Sequence, residues 1–165
     1  MKFISIKELF PSLFNFIPGW IRGTYYCITG ATGSGKSKFA RYAFAEWTYK
    51  YCTANKIPFI VIYFALEESV EFFWSTIILG KLNERTGKQF TYYQYKGFHD
   101  GMEKADYDEV DKIMPEIDDM KKYIKVYDDV SNPTGLLRTI EDELKPFGKL
   151  VKSEPIMDEQ GNAIV

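Results

Sequence analysis

The sequence predicts an α/β fold, a parallel sheet flanked by helices, with a hairpin-like tail at the C-terminal end. Three observations lead there. Apolar, β-prone runs alternate with stretches of helical periodicity in the order strand, loop, helix, strand, helix, the pattern of parallel strands joined by right-handed crossovers. The run Phe59–Leu66, FIVIYFAL, is continuously apolar, as a strand buried on both faces of such a sheet would be. Between the first predicted strand and the first long helix lies a glycine-rich loop, Gly30 to Ser37.

Residues 1–23 mix apolar and aromatic side chains and are broken by Pro11 and Pro18, so they read as a short helix and an irregular lead-in. The β-prone stretch Thr24–Thr29 is the first expected strand. From Ser37 the positions Ala40, Ala43, Phe44, Trp47 and Tyr51 recur at helical spacing and predict a helix to about Ala54. After the second strand, Val70, Phe73, Trp74, Ile77 and Ile78 mark a helix that stops near Gly87. Tyr107, Val110, Met114 and Ile117 mark another, which Pro115 should kink or split. YIKVYDDV is a third strand. SNPTGLLRTIEDEL opens a last helix, with Ser131 or Asn132 as cap and Pro133 in the first turn. The tail reads as a hairpin turning near Gly161 and Asn162. The expected organisation is therefore a lead-in over 1–23, an α/β domain over 24–147 and a tail over 148–165.

With 165 residues, 45% hydrophobic and 27% charged, the chain is long enough and apolar enough to bury one core. A net charge of −2 argues against a generally basic nucleic-acid binder. The pairs Lys121–Lys122 and Lys149 with Lys152 read as solvated surface. Cys27 and Cys52 make no metal or disulfide framework and read as reduced thiols. No apolar run is long enough to span a membrane, and the first residues hold no apolar core of a signal peptide. A soluble, cytoplasmic protein is expected.

GATGSGKS, Gly30–Ser37, matches G-x-x-x-x-G-K-[ST]. Glycines at 30, 33 and 35 let the backbone wrap closely around an anion. The amides of Gly30, Ala31, Thr32, Gly33, Ser34, Gly35, Lys36 and Ser37, with the helix start behind them, then face a phosphate. Lys36 places a point charge on the β- and γ-phosphates, and the Ser37 hydroxyl ligates Mg²⁺. ATP and Mg²⁺ are the expected ligands.

Hydrolysis also needs a carboxylate to orient the attacking water. Glu67 and Glu68 end the second strand, on the edge where the loop of a parallel sheet lies. They serve equally well as favourable charges at the start of the next helix. Asp128 and Asp129 end the third strand: either Asp128 holds Mg²⁺, or the two form an acidic turn before the last helix.

Three blocks together resemble the RecA-type motor domain of DnaB-family replicative helicases: PGWIRGTYYCITGATGSGKSKFA, VIYFALEES and YIKVYDDVSNPTGLLRTIEDEL. The resemblance covers roughly Pro18 to Leu144. It implies a RecA-like P-loop NTPase fold in which Lys36 and Ser37 bind phosphate and Mg²⁺, Glu67 activates water, and Asp128 and Asp129 form a structural turn. It also implies a ring hexamer that couples ATP hydrolysis to movement along single-stranded DNA. Ala65 and Glu68 depart from the family's usual Ser and Met, and Glu68 leaves two adjacent acids to choose between. The family's Walker B strand, DNA-binding loops and arginine finger follow the helix that LLRTIEDEL resembles and have no counterpart before Val165. The chain therefore looks like a motor truncated before the Walker B strand, and alone it is expected to bind ATP weakly and hydrolyse it poorly or not at all.

Two other functions fit the same loop: a small P-loop kinase, and a non-catalytic module that gates assembly or loading by binding nucleotide. Only Arg22, Arg41, Arg85 and Arg138 could build a kinase's arginine-rich lid, and they are scattered. His99, the single histidine, reads as a turn residue. FTYYQYKGF, Phe90–Phe98, reads as packing aromatics in preference to a base-stacking surface.

Overall fold

The computed structural model describes residues 3–130 and 132–148, with the backbone of 156–157 and 163–164. The chain divides into two units, Met1–Asp128 and Asp129–Val165.

In the first unit, β1 (Phe3–Ser5) pairs antiparallel with β2 (Gly19–Ile21), joined through α1 (Pro11–Phe14). Next comes one continuous helical run: α2 (Lys36–Ala40), a π-helical stretch (Arg41–Glu46) and α3 (Trp47–Ala54). Then follow β3 (Val61–Phe64), α4 (Val70–Thr86), α5 (Tyr92–Tyr95), α6 (Lys104–Tyr123) and β4 (Ile124–Tyr127). The second unit holds α7 (Pro133–Leu144), a 3₁₀ turn (Lys145–Phe147), β5 (Ile156–Met157) and β6 (Ala163–Ile164). β5 and β6 pair antiparallel, and the hairpin turn expected at Gly161 and Asn162 lies outside the described residues.

β3 and β4 are parallel, with Val61 opposite Ile124 and Tyr63 opposite Val126. One face of this pair (Val61, Tyr63, Ile124, Val126) lies on the main apolar cluster. α4 and α6 supply the cluster's other side through Phe73, Ile77, Leu82, Ile113, Ile117 and Met120, all nearly inaccessible. Three long stretches of chain meet there, so the hydrophobic gain is concentrated at a single site.

The helix ends are where local chemistry puts them. Ser69 caps α4, its Oγ accepting from the Phe72 amide at 3.1 Å, and Gly87 closes α4 in the left-handed region. Asn132 caps α7 by accepting from the Gly135 amide at 2.8 Å, with Pro133 as the first helical residue. Ser131, the other candidate cap, lies outside the described residues. Pro115 does not split its helix: α6 runs through it, and the proline is exposed.

The predicted fold class does not hold. A RecA-like parallel sheet flanked by helices is absent from the described residues, which form only two-stranded sheets, one of them parallel. Thr24–Thr29 is not a strand. It runs exposed, with Tyr25 at 88%, and Tyr26 turns its hydroxyl back to the Ile21 amide and the Gly19 carbonyl. β-propensity becomes a strand only beside a partner ladder, and no described strand pairs with this segment. β3 is likewise only half-buried at all four residues, not buried on both faces as the apolar run implied.

Among the described residues, no helix is long and apolar enough to cross a membrane.

The β1–β2 pair depends on one glycine. A Cβ at Gly19 would stand 2.0 Å from the Ile4 carbonyl oxygen and 2.8 Å from its carbon, both backbone atoms. Gly19→Ala should therefore force the strands apart at a cost of about 1–3 kcal/mol, read as a lower midpoint in denaturant unfolding.

Candidate phosphate-binding site

The loop Gly30–Ser37 leaves the irregular Thr24–Thr29 segment and enters α2 directly. Gly33 (φ 78°) and Gly35 (φ 86°) both occupy the left-handed region, where a side chain would be strained. At Gly30 an added Cβ would lie 2.7 Å from Ser34 Oγ, so this position is tight for space. The Ser34 amide donates to the Ala31 carbonyl and closes the turn. Gly35 is the residue before α2 and has no side chain to cap it, so the first-turn amides have no local side-chain acceptor. Residues 31–35 and Ser37 are exposed. Lys36 folds over the loop, its Nζ donating to the Gly30 and Ala31 carbonyls at 3.0 Å each.

Aromatic packing anchors the helix behind the loop. Phe10 stacks on Phe39 with centroids 5.1 Å apart, and Trp20 lies on Phe44 at 4.3 Å. The Trp20 indole donates to the Ala43 carbonyl, inside the π-helical stretch, and the Trp47 indole donates to the Ser5 carbonyl. The lead-in thereby fixes the helix that carries the loop.

The acids separate into different roles. The Ala65 amide donates to the Tyr127 carbonyl, extending the β3–β4 ladder by one bond, so Leu66–Glu68 and Asp128 leave the sheet at the same edge. Asp128 is used structurally: its Oδ2 accepts from the Val70 amide at 2.8 Å, at the start of α4. Asp129 lies in the second unit. Glu68 Oε2 meets Arg41 Nη2 at 2.8 Å, with side chains only 14% and 5% exposed. Glu67 is exposed and makes no hydrogen bond or ion pair among the described residues. Of the two adjacent acids, Glu67 is the uncommitted one.

Arg41 and Glu68 were not paired by sequence reasoning, although a signal existed. Arg41 is followed three and four residues on by Phe44 and Ala45, so it falls on the helix's buried side, where an arginine needs a partner. Its guanidinium also sits over the Phe73 ring at 5.4 Å. Burial, and next the Glu68 charge, raise the pKa of Tyr63.

Beside this pair, a cavity of about 770 Å³ lies between the helical run, α4 and α6, lined by Lys38, Arg41, Glu46, Lys81, Glu84 and Glu116 among others. Burial pushes the Glu46 carboxyl up to about 7, against the opposing pull of Lys81 and Arg41 and with the help of Glu84 and Glu116. Lys81 bonds Glu116 at 2.7 Å.

The remaining sequence candidates fall outside both clusters. His99 is exposed and lies against Tyr93 at 5.8 Å. Tyr92 and Tyr95 pack against the main core, whereas Tyr93 and Phe98 are exposed. Cys27 is exposed, and burial raises the pKa of Cys52. Lys121 and Lys122 pair with Asp118 and Asp119 on the surface of α6, while Lys149 and Lys152 lie outside the described residues. Among the described residues no group of three or more His, Cys, Asp or Glu side chains is placed to hold a metal ion.

No protein-family model, curated protein or solved structure matches the chain.

Two predictions follow from the acids. Asp128→Ala should cost about 1 kcal/mol through loss of the bond to the α4 start, read by thermal unfolding. Glu46 has a folded pKa above its unfolded value, so the folded state binds the extra proton between about pH 4.5 and 7. Stability should be fullest below that window and fall as pH rises through it. Glu46→Gln should remove the fall, by about 1–3 kcal/mol at pH 8, in unfolding curves recorded from pH 4 to 8.

Proposed function

We propose that the chain binds the phosphates of ATP with Mg²⁺ at Gly30–Ser37 and that Glu67 orients the water that attacks the γ-phosphate. The observation that carries this reading is the loop itself: two left-handed glycines, an uncapped helix start and the Lys36 ammonium converge on one exposed turn. The loop amides hold the phosphate oxygens, and Lys36 moves its charge from the loop carbonyls to the ligand. The Ser37 hydroxyl would hold Mg²⁺, which would supply charge that neutralises the phosphate oxygens. Glu67 takes the carboxylate role because Glu68 is held by Arg41 and Asp128 by α4.

The wider assignment is a DnaB-like motor that couples this hydrolysis to movement along single-stranded DNA as a ring. It rests on the order of the three sequence blocks alone, and the two-stranded parallel pair gives it no added support. A kinase is less well supported, since Arg41 and Arg85 are held by Glu68 and Glu109 and are not grouped over the loop. A nucleotide-gated module without turnover shares the binding loop and differs only at Glu67.

Titration with a fluorescent ATP analogue, with and without Mg²⁺, tests the binding step. Lys36→Ala should weaken binding at least about tenfold, and an unchanged affinity would remove the loop from the site. Glu67→Gln should leave affinity within about twofold and slow phosphate release in a single turnover by about a hundredfold or more. Equal rates in parent and variant would leave the non-catalytic module standing.

A further inference from the structure

We propose that Arg41 is a positioning residue for Glu67: its ion pair with Glu68 fixes the Leu66–Ser69 turn to the helix that carries the phosphate loop. The inference rests on the water-orienting role of Glu67 proposed above. Arg41 belongs to the helical run that Lys36 opens. Five residues on, at 1.5 Å of rise each, it stands about 7 Å along the axis from the loop's end. Glu68 is covalently next to Glu67, at the end of β3. The 2.8 Å contact between them therefore joins the loop's own helix to the acid's own turn.

The pair is not a surface accident. Both side chains are largely buried, and the guanidinium is backed by Phe73, a fully buried core residue. It is also incomplete. Arg41 Nε and Glu68 Oε1 are both buried and make no hydrogen bond among the described residues. An arginine and a carboxylate usually satisfy these two atoms with each other, in a two-bond fork. Here one bond of the fork is formed and the other is left open on both sides. Glu68 also bonds the Tyr63 side chain, yet a buried ion pair is in itself weak evidence for stability, because a matched apolar pair often serves as well. A pair that yields little stability but sits between the loop helix and the turn of the candidate acid is best explained by the position it enforces.

The π-helical stretch fits the same reading. It begins at Arg41, which is buried within it. Such widened turns are frequent at functional sites. The turn it reaches lies between the Ala65 bond to the Tyr127 carbonyl and the capped start of α4, and within it Leu66 and Glu67 are exposed.

Removing one partner strands a buried charge and threatens the fold, so the decisive variant removes both: Arg41→Met with Glu68→Leu, which keeps volume and leaves no charge behind. Three quantities are read on parent and double variant: unfolding midpoint, ATP-analogue affinity, and single-turnover release of γ-phosphate. The expected result is a folded protein whose affinity stays within about threefold while the rate falls about tenfold to a hundredfold. The exchanged pair, Arg41→Glu with Glu68→Arg, should recover part of that rate. A double variant that hydrolyses within twofold of the parent overturns the positioning role. So does one whose affinity falls by the same factor as its rate, since that marks general damage to the loop. A parent that binds ATP but releases no phosphate even in a single turnover overturns the role of Glu67 and this inference with it, while phosphate binding by the loop stands. A parent that binds no ATP overturns the loop reading itself.

Discussion

Two parallel strands of four residues each cannot hold together in water on their own hydrogen bonds. The β3–β4 ladder exists because α4 and α6 close over one of its faces, burying Phe73, Ile77, Ile117 and Met120 against Val61, Tyr63, Ile124 and Val126. The rest of the first unit is attached to this contact. The Leu66–Ser69 turn and Asp128 take their places from the ends of the ladder, and Arg41 is packed on Phe73 from outside it. The loop helix, in turn, is held by the tryptophans of the lead-in and its neighbour, Trp20 and Trp47.

Much of the helical framework was legible because its signals are local. Ser69 and Gly87 bracket α4, Asn132 and Pro133 open α7, and the 3.6-residue recurrence through Ala40, Ala43, Phe44 and Trp47 marks the loop helix. The glycine-rich loop is local in the same way: its backbone, with Gly33 and Gly35 in the left-handed region, is set by eight consecutive residues. The sheet was not legible. Thr24–Thr29 has the composition of a strand, but composition does not say whether a neighbour will pair with it. FIVIYFAL has the composition of a strand buried on both faces, yet an apolar run carries no record of whether a second layer covers it. The resemblance to helicase motors carried the same error, because it imported a sheet along with a motif.

The acids show what sequence leaves open and geometry narrows. Glu67 and Glu68 are adjacent and identical in chemistry, and spacing cannot choose between them. Burial can: Glu68 turns inward to Arg41 while Glu67 stays in solvent. Asp128 and Asp129 raised the same question. The Asp128 carboxylate accepts from the Val70 amide at the start of α4, whereas the turn expected from the sequence stood before the last helix.

The Lys36 ammonium is already engaged by two carbonyls of its own loop, so the resting loop is a closed ring of internal charge and dipole. Any ligand enters by exchange, not by simple addition: it must offer the ammonium more than Gly30 and Ala31 together provide. Two neutral carbonyls are modest competitors for a polyphosphate, and strong ones for a ligand with a single charge or none. On the proposed reading the loop is selective before any specificity pocket is considered: it discriminates by charge density, and the threshold is set by its own backbone.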